Sequence, residues 1–126
     1  MIQYFTMITK ETIIDFFRNV EEGKDFDTSG KLLWSYYFLD RDSNKLKAFS
    51  LVLEKLGMRF KDIFEAEKEH LDDETEYFLQ MERIEHHDVD SLDELNSALY
   101  RLAEESFVEY YDGFDVGNII STENIR

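Results

Sequence analysis

Cysteine and proline are both absent from this chain of 126 residues. Without cysteine there is no disulfide framework, no thiolate zinc site and no thiol nucleophile. Without proline, no slow X-Pro isomerisation enters folding. Glycine is scarce at 5 residues, and neither a G-x-x-x-x-G-K-[ST] loop nor a G-x-G-x-x-G turn occurs, so no phosphate cradle is expected. No serine lies in a G-x-S-x-G elbow. Positive charge is also short, with 14 Lys and Arg against 29 Asp and Glu, a net charge of −15. Phosphate backbones and anionic lipids both call for clustered cations, so direct nucleic-acid binding and membrane docking are not expected. No apolar run approaches the roughly 18 residues of a membrane span, and Met1 to Phe17 lacks a basic start. The chain therefore reads as cytoplasmic.

Apolar residues are plentiful: 43% of the chain is hydrophobic and 15% aromatic, which excludes a disordered chain despite the charge. Area scaling buries about two-thirds of the surface of a chain this size, enough for one core. A helix is expected from Thr9 to Glu22, with Thr9 as N-cap, Ile13, Phe16, Phe17 and Val20 on one face, and Gly23 as the stop. Asp25 to Lys31 reads as a loop. The period then changes to two: Trp34, Tyr36 and Phe38 alternate with Ser35, Tyr37 and Leu39, as in a central strand covered on both faces.

Leu46, Phe49, Val52, Leu53 and Leu56 form a second helical stripe, closed by Gly57. Arg59 to Glu67 predicts an edge strand with a bulge, Phe60, Phe64 and Ala66 sharing one face and Ile63 opposite. The acidic run Glu65 to Glu76 reads as a solvated loop. Tyr77 to Glu85 is the next strand, with Leu79 and Met81 inward. Ser91 and Glu94 match a capping box, so Ser91 opens a third helix, with Leu92, Leu95, Leu99, Leu102 and Ala103 along its stripe. Val108 to Phe114 is the last strand, and Asn118 to Arg126 is expected to fray.

Two β-α-β halves of similar length predict an α+β fold, a ferredoxin-like βαββαβ sandwich with a four-stranded antiparallel sheet and an extra N-terminal helix. The expected division is 1–33 for the helix and its loop, 34–117 for the ferredoxin-like domain and 118–126 for a flexible tail. The leading helix can either pack beside the other helices or cover the open sheet face.

No catalytic constellation is legible. His86, His87 and Asp88 are adjacent, with His70 apart; a metal needs three or four converging ligands, so His86 and His87 stand only as an alternative metal-binding reading. The aromatic strand resembles the base-stacking strand of RNA binders, but the surrounding cations are missing and core packing is the better reading. Charge is more informative. Residues 1–76 hold 17 acidic and 11 basic residues, whereas residues 77–126 hold 12 and 3. The second half is thus poor in cations, and Glu104, Glu105, Glu109, Asp112 and Asp115 are candidates for contact with a basic protein partner. No cofactor is implied. An immunity protein neutralising a basic toxin nuclease would have the same charge.

Three stretches resemble a known family. They are Glu11-Thr12-Ile13-Ile14 through Val20-Glu21-Glu22-Gly23-Lys24-Asp25, Trp34-Ser35-Tyr36-Tyr37-Phe38-Leu39, and Leu92 to Glu105 followed by Val108-Glu109-Tyr110-Tyr111-Asp112-Gly113-Phe114. They are similar to the regulator of ribonuclease activity B family, small acidic bacterial proteins typified by a ribonuclease E inhibitor. The chain departs from that pattern at Phe114, where the family motif has Trp, in the region Lys61 to Glu76, and in having little charge after Asp115. The resemblance implies a ferredoxin-like fold, no catalysis, and modulation of RNA decay by protein–protein contact with ribonuclease E or a related nuclease.

Overall fold

The aromatic alternation at Trp34 belongs to a strand at the centre of the molecule. In chain order, the computed structural model has α1 (Lys10–Gly23), β1 (Leu32–Asp40), α2 (Ser43–Glu54), β2 (Arg59–Glu65), β3 (Tyr77–Glu85), α3 (Val89–Glu105) and β4 (Tyr110–Gly117). It describes residues 7–24 and 26–119. Asp25 and the end of the expected tail, residues 120–126, lie outside the described residues. The sheet order is β2-β3-β1-β4 with every pairing antiparallel, the arrangement expected of βαββαβ.

Strand register explains the core. Trp34, Tyr36 and Phe38 lie opposite Arg83, Met81 and Leu79 on β3 and opposite Val116, Phe114 and Tyr111 on β4. The three β1 aromatics are essentially inaccessible, so they are core and not a base-stacking platform. All three helices cover this face. Phe49 of α2 meets Phe38 at 5.0 Å, Tyr100 of α3 meets Tyr111 at 4.9 Å, and Phe16 of α1 meets Phe114 at 4.9 Å. The leading helix therefore packs beside α3, where Phe16 and Phe17 also reach Trp34. No described helix packs on the opposite face, so the expectation that β1 is covered on both sides is corrected there. Leu33, Tyr37 and Leu39 are half-buried on that face.

Two bulges reset the expected faces. The β2–β3 register slips between Phe60 and Asp62. Phe60 then pairs with Met81 and Ile63 with Leu79, whereas Phe64 pairs with Phe78 on the other side. Phe60 and Phe64 thus do not share a face, and Ile63 is the β2 side chain that packs on the core. On β4, the register slips opposite Tyr37/Phe38. Tyr111 and Phe114 are three apart, which would put them on opposite faces of a regular strand. The extra residue turns both toward the helices. Gly113 holds φ 122 there, and a Cβ on it would come within 3.3 Å of the Ile8 side chain. Tyr111-Asp112-Gly113-Phe114 is therefore a bulge inside β4, which continues to Gly117, and not the strand's end.

Helix ends follow local chemistry. Thr9 caps α1, its hydroxyl accepting from the Thr12 N–H, but the left-handed residue that ends α1 is Lys24 and not Gly23. α3 begins one turn earlier than expected. Asp88 is its N-cap, accepting from the Ser91 N–H at 2.8 Å, while the Ser91 hydroxyl accepts from the Asp88 N–H at 3.0 Å. The capping box is Asp88/Ser91 and not Ser91/Glu94.

Candidate partner-binding surface

The acidic candidates fall into four settings. Glu104 and Glu105 end α3 and are exposed. The negative end of a helix dipole favours cations in the last turn. α3 has none there, so these two carboxylates stand where local electrostatics opposes them. Glu109 is already engaged: its carboxylate accepts from Arg41 at 2.8 Å and 3.1 Å, and Arg41 also meets Glu74 at 3.0 Å. The hydrogen bonds and charges of Glu109 and Glu74 push the Arg41 pKa up. Asp112 sits in the β4 bulge, where partial burial of the carboxyl raises its pKa. Asp115 lies opposite Ser35 on the open sheet face. Among the described residues, no cation is within ion-pair distance of Glu104, Glu105, Asp112 or Asp115.

The histidines separate. His86 is exposed and His87 is buried, so the two point apart. Both ring nitrogens of His87 are spent: Nε2 lies 2.8 Å from Glu85 Oε2 and Nδ1 lies 2.9 Å from the Ser91 hydroxyl. The Tyr36 hydroxyl donates to the same Glu85 oxygen at 2.8 Å, and Arg83 Nε lies 2.7 Å from the other as an ion pair without hydrogen-bond alignment. The Trp34 indole N–H donates to the Glu85 carbonyl and its ring stands edge-on to His87 at 5.1 Å. Burial alone would raise the Glu85 pKa, but the hydrogen bonds from His87 and Tyr36 and the nearby charges outweigh it and leave the pKa lowered. Burial and the Glu85 charge raise that of Tyr36.

Serine, histidine and glutamate are in line here, yet the serine hydroxyl is committed to the helix cap. The network ties β1, β3 and the start of α3 together. Sequence reasoning missed it because Tyr36 and Glu85 are 49 residues apart. Among the described residues, no three His, Asp or Glu side chains are placed to hold a metal, and no helix is long and apolar enough to cross a membrane.

A helix laid beside a βαββαβ sandwich, its polar cluster spent on locking the β3–α3 junction, defines an α+β domain of ferredoxin-like architecture. The family model described as regulator of ribonuclease activity B matches residues 10–116, and the chain belongs to that family. That span runs from the first residue of α1 to the penultimate residue of β4. A search of curated proteins finds no match.

Proposed function

We propose that this chain is a non-enzymatic cytoplasmic regulator that binds ribonuclease E, or a related nuclease, and modulates RNA decay by protein–protein contact. Its acidic surface at the end of α3 and along β4 meets a basic segment of the nuclease. The observation that carries this reading is the pair Glu104 and Glu105, exposed, without a cationic partner and set against the helix dipole. Carboxylates in that position do little for stability and are available to a cationic partner. Membership of a family of ribonuclease regulators supports the choice of partner.

The test is the double variant Glu104→Lys with Glu105→Lys. Its thermal midpoint should equal or slightly exceed the parent's, because lysine suits a helix C-terminus. Its affinity for ribonuclease E should fall about tenfold, and parental binding should weaken as salt rises through the physiological range. Equal affinity of parent and double variant would remove this surface from the contact.

A further inference from the structure

The two β-α-β halves close their helices with the same turn. After α2, the Gly57 N–H donates to Glu54 at 3.0 Å and the Met58 N–H to Leu53 at 3.2 Å. After α3, the Phe107 N–H donates to Glu104 at 3.1 Å and the Val108 N–H to Ala103 at 2.9 Å. Met58 and Val108 are equally buried, at 4% exposure each. This is the Schellman pattern, whose turning residue must take positive φ. Gly57 does so at φ 96, and Phe107 does so at φ 60. For a residue with a Cβ the left-handed region is unfavourable, and glycine is the ordinary occupant.

Among the described residues, Phe107 gains little packing in return. It is 80% exposed, and no aromatic ring among the described residues pairs with it. Leu71 is more exposed still, at 94%, but lies in a loop without positive φ and needs no explanation. Phe107 is also held in place. Lys45 Nζ donates to its carbonyl at 2.9 Å, while Lys45 itself is anchored on buried Asp40 at 3.2 Å. A large aromatic is thus displayed from a rigid, strained turn, with Glu104 and Glu105 just before it.

We infer that Phe107 is an apolar anchor that enters a pocket on a protein partner, and that lysines or arginines rim that pocket. The inference rests on the function proposed above and adds the residue at its centre. Binding energy concentrates in aromatic anchors that are pre-positioned and ringed by polar contacts. The carboxylates of Glu104 and Glu105 supply that ring here, and their charge selects a basic rim.

Phe107→Gly separates the roles, because stability and binding should move in opposite directions. Its thermal midpoint should rise by a few degrees. Its affinity for ribonuclease E should fall about tenfold or more. Parent-like affinity in Phe107→Gly, with the parent binding, would overturn the anchor and leave the proposed function standing. No binding by the parent would remove the proposed function and the anchor with it. A midpoint several degrees lower would make the ring structural and overturn the inference. A parent that sediments as a dimer, with Phe107→Gly a monomer, would name a second copy as the occupant and overturn it as well.

Discussion

Gly57 and Phe107 stand at equivalent points of the two halves, and the strands that follow them differ. β2, after Gly57, has no buried residue; Ile63 reaches the core only partly. β4, after Phe107, buries Tyr111 and Val116 and packs Phe114 on α1. The half with the weaker strand has the relaxed turn and a full Leu53 at the helix end. The half with the stronger strand has Ala103 at that position and tolerates a strained turn. Strain persists where the surrounding structure over-determines it, and such sites are where function is to be sought.

Leu53→Ala tests the dependence of the first half on its turn. Leu53 is fully buried, and its truncation makes the first turn resemble the second without β4 to compensate. The expected loss is about 2–5 kcal/mol, read from urea unfolding. A loss below about 1 kcal/mol would show that the first half does not depend on the α2 end.

Gly57→Phe installs the second turn in the first half. A Cβ at position 57 would lie 3.6 Å from Arg83 Nη1, an ordinary contact, so the side chain starts without a clash and the expected cost is the left-handed φ. About 1–2 kcal/mol should be lost at equilibrium. No loss would break the comparison, since φ at Phe107 would then carry no strain.

The smallest expected effect is at the start of α3. Ser91→Ala removes the hydroxyl shared by the cap and His87 and should cost about 1 kcal/mol. It should also flatten the acid limb of stability. The Asp88 pKa is held below its ordinary 3.8 mainly by the Ser91 N–H; burial opposes this, and the Ser91 hydroxyl adds a lowering smaller than either. A depressed carboxylate stabilises the fold above its unfolded pKa, and that contribution is lost as pH falls through the folded pKa. Thermal midpoints measured from neutral pH down through the acid range should therefore drop less in Ser91→Ala than in the parent. Parallel profiles would assign the Asp88 shift to the backbone N–H alone.

Much of this was legible in residue order. Thr9 declared the start of α1, Gly57 the end of α2, and the β1 aromatics the central strand. Signals that fail are those with a near-equal competitor. Asp88 and Ser91 are both good N-caps one turn apart, and the choice falls to Asp88 because the Ser91 hydroxyl also serves His87 from across the junction. Phe60 and Phe64 share a parity that a single bulge erases. Among the acidic candidates, composition could not separate Glu109, which Arg41 occupies, from Glu104 and Glu105, which have no such partner.

Local periodicity and capping are properties of consecutive residues, so they determine which elements form, in what order, and hence the α+β class. The position of α1, the buried Tyr36–Glu85–His87 network, the strained display of Phe107 and the pairing state of each carboxylate depend on residues far apart in the chain. Those are decided only when the sheet closes in its particular register and brings the separated groups within reach.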